Sequence, residues 1–311
     1  MSCASAVGKI ILFGEHAVVY GRPAIAVPVS DVRATVTVES AERGAGITVV
    51  ARDIGRTIRM GEAAADEPLT FTVRNTLTCL ACDERALDLN VTITSTIPVA
   101  GGLGSGAAVA VALIRALCAH LGRPLDAAQV SALAYRTEML FHGTPSGIDN
   151  TVIAYEQPVY FKKGYPIETF AVRTPFWLVV GDTGRPGLTK ESVADVRAAW
   201  QRNPTHYNAL FDTIGHLADR ARQAIEAGEI ALLGPLMSEN QACLRELDVS
   251  SPELERLIAA ALAAGAAGAK LSGGGRGGNM IALVTPERAA RVQAALYEAG
   301  AKQVIVTGVG V

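Results

Sequence analysis

Four short segments of this 311-residue chain hold residue types at spacings that could carry chemistry. In PVAGGLGSGAAVAVALI, residues 98–114, an extended stretch ends at Pro98, passes through a glycine-rich turn and continues as an apolar helix. Such a turn cradles phosphate, because glycines let the backbone approach closely and the helix N-terminus favours an anion. The same segment also reads as a plain strand-to-helix turn. It is not a Walker A loop, since no Gly-Lys-Ser/Thr closes it, and it lacks the glycine spacing of a dinucleotide fingerprint. In HGTPSGIDN, residues 142–150, Gly143, Pro145 and Gly147 would fix a turn that holds Asp149 as a general base. Taken alone, a helix C-cap followed by an Asx-turn fits that segment better.

The third segment, KLSGGGRGGNMIALV at 270–284, places six loop residues, five of them glycine, between two strands. Ordering so many glycines is costly in chain entropy, which points to a ligand the backbone must approach. Arg276 inside the loop would either add a cation for phosphate or stand in solvent. In the fourth, GKIILFGEHAVVYG at 8–21, Lys9 precedes an apolar strand and Glu15–His16 follow on a glycine turn. Singly, each of these charges reads as a solvated strand end, and a lone His16 is too weak a signal for metal or triad chemistry.

Positioning such groups takes a large core, and the composition supplies it. Half of the residues are hydrophobic and 19% are charged, which excludes intrinsic disorder. Lys plus Arg number 28 against 30 Asp plus Glu, a net charge of −2, so no field exists for gripping nucleic acid. Five scattered cysteines do not make a disulfide framework and fit a reducing cytosol. Cys79 and Cys82 have redox or zinc spacing, but their flanks predict a helix that presents both thiols structurally on one face. The N-terminus has no basic region, and Gly14, Glu15 and His16 interrupt its apolar run, so a signal peptide is not expected. The most apolar helix, AAVAVALIRALCAHL, is shorter than the roughly 20 residues of a membrane span and contains Arg115. A soluble, cytoplasmic protein with no membrane partner is expected.

Apolar runs at 7–13 and 24–29 predict strands, as does the alternation in VRATVTV (32–38), GITVVAR and LNVTITSTIP (89–98). One helix is expected near 72–87. After Pro98 two helices follow, the second capped by Asp126 and ending at Gly143. A buried strand at 177–184 precedes helical patterns through 189–264. The chain then returns to strand, the glycine loop, strand, one helix and a last strand. No internal repeat appears. The pattern is α+β in two lobes.

Together and in order, the four segments resemble the motifs of the GHMP kinases, and most resemble those members that phosphorylate mevalonate. GKIILFGEHAVVYG is similar to the first motif, AGGLGSGAA to the second, KLSGGGRGGNMIAL to the third, and HGTPSGIDN to the segment with the catalytic aspartate. DTGRPGLTKESVADVR, 182–197, is similar to a further stretch of the same enzymes. The resemblance runs from residue 8 to about 284. It implies an N-terminal lobe (1–175) with a ribosomal-protein-S5-like β/α domain, and a ferredoxin-like α+β lobe (176–311).

It further implies phosphoryl transfer from MgATP to the C5 hydroxyl of (R)-mevalonate. Asp149 matches the base and Lys9 the lysine beside it. Glu138 matches the Mg²⁺ carboxylate. Gly101, Gly102, Leu103, Gly104, Ser105, Gly106 and Ala107 match the loop that wraps the triphosphate. Glu15, His16 and Thr189 match positions lining the substrate site. The resemblance is compatible with a homodimer, though no stretch identifies an interface.

Three departures stand out. The second motif usually ends in two serines, but Gly106 follows Ser105 here, so the usual metal-binding hydroxyl is missing and Ser105 or a water must substitute, or Mg²⁺ leans more on Glu138. Arg276 stands where the third motif usually has glycine or another residue. Gly187 stands where animal-type members carry an arginine. Within the family, a decarboxylase or 3-kinase would share the fold, but decarboxylases generally lack a lysine matching Lys9. A non-catalytic ligand sensor has no need of both Asp149 and Lys9.

Overall fold

Alternation along VRATVTV becomes a half-buried strand: Val32, Ala34, Val36 and Val38 face inward, and the residues between them are partly exposed. The structure, a computed structural model, describes residues 1–64, 66–98, 101–142 and 145–311. The contacts divide the chain into one unit of Met1–Gly8, Val32–Pro98 and Gly104–Glu156, and another of Lys9–Asp31, Val99–Leu103 and Gln157–Val311.

In the first unit the elements in chain order are β1 (Ser2–Phe13), β2 (Ala24–Ser40), β3 (Ile47–Ala51), β4 (Arg56–Arg59), α1 (Pro68–Cys79) and β5 (Leu89–Ser95), then α2 (Ser105–His120), α3 (Ala127–His142) and α4 (Ile148–Tyr155). β1 and β2 also contribute residues to the second unit. The sheet order is β4-β3-β5-β2. β2 runs antiparallel to β5, with Val36 opposite Ile93 and Val38 opposite Val91, and β5 runs parallel to β3. α2 is buried on nearly every side, from Ala107 to Cys118, because it packs against α1, α3, α4 and β5. Its one basic side chain within that stretch, Arg115, caps the end of α4, donating to Ala154 O at 2.9 Å and to Glu156 at 2.7 Å. Among the described residues no helix is long and apolar enough to cross a membrane.

Three local expectations are corrected. Residues 24–29 and 32–38 form one continuous strand, and Pro28 does not break it, because it falls between the stretch paired with β6 and the stretch paired with β5. The helix expected near 72–87 begins at Pro68, with Glu67 accepting from Thr70 N, and stops at Cys79. Ala81 then takes a positive φ of 50°, so Cys82 lies beyond the helix and the two thiols share no helical face. After Gly147 the chain forms α4, a helix the sequence did not announce. Asp126 does cap α3: it accepts from Gln129 N at 2.8 Å while Gln129 Oε1 accepts from Asp126 N at 3.0 Å. Gly143, the expected end of that helix, lies outside the described residues.

The second unit adds β6 (Val159–Phe161) and β7 (Glu168–Thr169), which extend from the first part of β2. Next come β8 (Phe176–Asp182), α5 (Thr189–Arg202), α6 (Pro204–Ala227), α7 (Leu233–Glu246), α8 (Pro252–Ala263), β9 (Gly268–Ser272), β10 (Asn279–Val284), α9 (Pro286–Glu298) and β11 (Gln303–Val309). β8 to β11 form an antiparallel sheet in the order β11-β8-β10-β9, the ferredoxin-like arrangement. The terminal strand thus pairs with β8. α8 and α9 cover this sheet, and their apolar stripes meet Val179, Leu271, Met280 and Ala282 in the core.

α7 lies so close to β9 that backbone touches backbone. A methyl group on Gly268 would sit 2.2 Å from Gly234 O. Gly268→Ala is therefore expected to destabilise the protein by about 2–4 kcal/mol through overpacking, read as a lowered urea midpoint at unchanged m.

Candidate functional site

In the first unit, polar contacts between helices set the carboxylates. Thr72 and Thr137 hydroxyls meet at 2.9 Å and Asn75 Nδ2 donates to Leu133 O at 3.4 Å, which ties α1 to α3. Asn150 Nδ2 donates to Ser131 Oγ at 2.8 Å and to Ser131 O at 3.2 Å, which ties α3 to α4. Glu138 on α3 is buried, and with Asp149 it lines a cavity of about 190 Å³ whose other walls are Pro145, Ser146, Gly147 and Asn150. Asp149 sits in the first turn of α4, after Gly147 with φ 84°, rather than on an irregular turn. Beside them, α2 starts at Ser105 behind Gly104, which has no side chain to cap the free N–H groups of the first turn. A methyl group on Gly106 would stand 3.6 Å from Glu138 Oε1, so the α2 N-terminus and the Glu138 carboxylate are neighbours.

The second unit gathers the first motif, the start of the second and the whole of the third. Lys9, buried within β1, donates its backbone N–H to Leu103 O at 2.9 Å. Asn279 Nδ2 donates to Gly101 O, and Ser272 Oγ donates to Ile11 O at 2.7 Å. The Lys270 ammonium pairs with Glu15, and both side chains are sealed from solvent. Lys270 also donates to Leu271 O at 2.7 Å. Burial pushes the Glu15 carboxyl up and the Lys270 ammonium down, while their mutual attraction opposes both shifts. Glu15, expected to line the substrate site, has Lys270 as its ion-pair partner.

His16 is buried with φ 60°, and its Nε2 lies 3.0 Å from Gly274 O. That carbonyl also accepts from Ser192 Oγ at 2.8 Å. The Nε2 nitrogen must donate there, which leaves Nδ1 as the acceptor of the neutral ring. Burial lowers the His16 pKa, the Gly274 hydrogen bond opposes this, and the nearby Arg276 charge adds to it. Behind this turn, Tyr20 stacks on Phe211 at 4.1 Å and Arg22 pairs with Asp212 at 2.9 Å, anchoring the first motif to α6. Thr189 opens α5 as an exposed residue, and its hydroxyl would lie 2.6 Å from a methyl group placed on Gly274.

Sequence reasoning singled out Lys9, His16, Thr189 and the glycine loops but passed over Lys270, Ser192, Asn279, Ser131 and Asn150. A signal existed for Lys270, a lone charge inside an otherwise apolar strand. Val99 and Ala100 of the second motif, and Gly143 and Thr144 beside Asp149, lie outside the described residues.

The model of the GHMP kinases N terminal domain matches residues 72–157, and that of GHMP kinases C terminal matches 221–302. A mevalonate kinase of Thermococcus sibiricus is 40% identical over 320 residues, covering 97% of this chain and 94% of that protein. One from Thermococcus gammatolerans is 39% identical over 97% of this chain and 94% of its own length. Among solved structures, the L. major mevalonate kinase in complex with R-mevalonate superposes with a TM-score of 0.85 at 30% identity, covering 99% of this chain and 96% of that one. The chain belongs to the GHMP kinase family. It has that family's α+β fold of two lobes and is a phosphotransferase.

Burial favours the neutral form of His16 in the folded chain. The unfolded ring titrates near 6.5 and the folded one lower, so between those values the unfolded chain binds more protons. The stability is complete above pH 6.5 and is lost as pH falls toward the folded value, at a slope of up to about 1.4 kcal/mol per pH unit. His16→Asn, which tolerates the left-handed backbone, is expected to flatten that slope in urea titrations from pH 7 to 5.

Proposed function

We propose that this chain is an ATP-dependent mevalonate kinase of the cytoplasm, transferring the γ-phosphoryl group to the C5 hydroxyl of (R)-mevalonate. The carrying observation is the match, along nearly the whole chain, to proteins named as mevalonate kinases, at up to 40% identity. The presence of Glu138 and Asp149 on one cavity beside an uncapped helix N-terminus supports the phosphoryl-transfer part of this reading.

On this reading Asp149 accepts the hydroxyl proton as attack proceeds, because an alcohol is too weak a nucleophile to react unaided. Lys9 steadies negative charge at the reacting oxygens. Residues 101–107 wrap the triphosphate, with first-turn N–H groups of α2 aimed at phosphate oxygens. Glu15, His16 and Thr189 line the acceptor site, with the Glu15 carboxylate held by Lys270. Residues 1–175 carry the nucleotide and catalytic motifs, and 176–311 carry the third glycine-rich motif.

The donor set suits Mg²⁺. Glu138 and Ser105 offer hard oxygen ligands near the α2 N-terminus, and Mg²⁺ characteristically takes one or two carboxylates and leaves its other positions to phosphates and water. When bound, the ion neutralises charge on the phosphates.

A coupled ADP-release assay against mevalonate, 5-phosphomevalonate, galactose and homoserine tests the assignment. Mevalonate is expected to be the best acceptor, with the product phosphate on C5 by NMR. Release of CO₂ or phosphate on C3 would move the chain to the decarboxylase or 3-kinase branch. Asp149→Asn is expected to lower turnover by about 10²–10⁴ while nucleotide affinity stays within a few-fold. In magnesium titrations, Glu138→Gln should raise the half-saturating concentration far more than Ser105→Ala, and Gly106→Ser, which restores a hydroxyl beside Glu138, should lower it. A Glu138→Gln enzyme that titrates like the wild type would refute the metal assignment.

A further inference from the structure

Arg276 is the one non-glycine residue of the loop 273–278, and it takes a positive φ of 56°. That conformation is unfavourable for an L-residue, and the side chain makes contacts that offset it. Its guanidinium turns toward α5 and the turn after α7. Nη1 pairs with Asp195, Nε donates to Asp248 O at 3.2 Å, and Nη2 lies 3.7 Å from the Asp248 carboxylate. The Arg276 backbone N–H donates to Val249 O at 2.8 Å. One cation thus faces two carboxylates, which leaves little net positive charge to offer a phosphate. A carbonyl two residues away, Gly274 O, is the acceptor shared by His16 and Ser192.

We propose that Arg276 is a positioning residue that clamps the third glycine-rich loop to Asp195 of α5 and to the 248–249 turn, holding Gly274 O in place before any ligand arrives, and that it makes no phosphate contact. The functional consequence rests on the kinase reading above, but the clamp does not. Thr183 and Arg185 O hold the 278 end of the loop, and His16 and Ser192 hold its Gly274 carbonyl, so loss of the Arg276 tie frees chiefly the stretch between them. A wider spread there lowers apparent affinity in proportion to the competent fraction. Arginine suits the task because its planar fork reaches a carboxylate and a carbonyl together.

The test compares Arg276→Gln with Asp195→Asn, because a clamp and a phosphate ligand predict opposite behaviour for the second variant. Asp195 is an exposed side chain, so its replacement leaves folding intact. With a clamp, both variants raise amide hydrogen exchange of residues 273–278 in the ligand-free protein. Both also raise KM about two- to fivefold with kcat within twofold, as expected for a partly exposed ion pair. The double variant is then no worse than Arg276→Gln alone, because Asp195 acts only through Arg276, and Arg276→Lys recovers part of the effect. With a phosphate ligand, Asp195→Asn frees the cation and leaves KM for ATP unchanged or lower, while Arg276→Gln alone raises it. That pattern, or loop exchange in Asp195→Asn identical to wild type, overturns the proposal. Should the protein fail to phosphorylate mevalonate, the exchange measurement still decides the clamp.

Discussion

Lys270 places an ammonium in the middle of β9, a strand whose residues are all buried, and that charge has to be neutralised on the spot. Glu15 does so, from the turn that ends the first motif. Two apolar side chains of the same volume could hold the elements together as firmly, since desolvating both charges consumes much of their attraction. What they could not do is demand one particular partner. The ion pair ties Glu15 of the 14–16 turn to β9, and the backbone on either side of it is equally specific. Gly14 turns at φ 97° against Ala24, His16 is swung to φ 60°, and its ring meets Gly274 O. The buried pair thus joins the first and third motifs together with the Ser272 Oγ–Ile11 O and His16–Gly274 O hydrogen bonds.

Glycine enrichment in the third motif has a second cause beside ligand access. Methyl groups on Gly274, Gly275 and Gly277 would fall 2.6 Å from the Thr189 hydroxyl, 2.0 Å from Val249 O and 2.7 Å from Pro186 O. Three of the loop's own walls therefore exclude side chains. The entropy lost on ordering these glycines is offset by packing already present in the free protein, with Thr183 Oγ1 and N both donating to Gly278 O. The loop is built as a closed shelf between 183–189 and 248–249.

Much of the architecture was legible because it follows from periodicity. The alternation of 32–38 and 89–95, the apolar run of α2 and the return to strand after residue 267 each appear where hydrophobic spacing required them. What escaped was of another kind. α4 has only eight residues and a glycine at its N-cap, so neither length nor a capping side chain announces it. Cys82 was carried past the end of α1 by one residue of positive φ, which no pattern in NTLTCLACDERAL betrays. Of the candidate site, residues on glycine turns were visible, and their supports were not. Ser192, Asn279 and Ser131 act by hydrogen bonds to residues far away in sequence, and a serine or asparagine in a helix or strand looks the same whether or not such a partner exists.

The two carboxylates show why those supports matter more here than the motif alone suggests. Glu138 and Asp149 stand on different helices, so their separation is set by how α3 and α4 meet, and that contact is polar: Asn150 to Ser131, with the Thr151 hydroxyl 3.4 Å from Ser131 Oγ. Directional hydrogen bonds locate a helix along its axis more sharply than apolar packing does, because a slide of one ångström breaks them. α3 is held likewise on its other side through Thr137 and Leu133 O. Where a second hydroxyl at position 106 would share the coordination of an ion, small errors in the placement of one ligand would be tolerated. With glycine there, the proposed metal site leans on the Glu138 carboxylate, and the tolerance has to come from how rigidly α3 is seated. On the proposed metal assignment, the hydroxyls and amides around α3 would be the counterpart of the missing serine, with precision of placement standing in for an additional ligand.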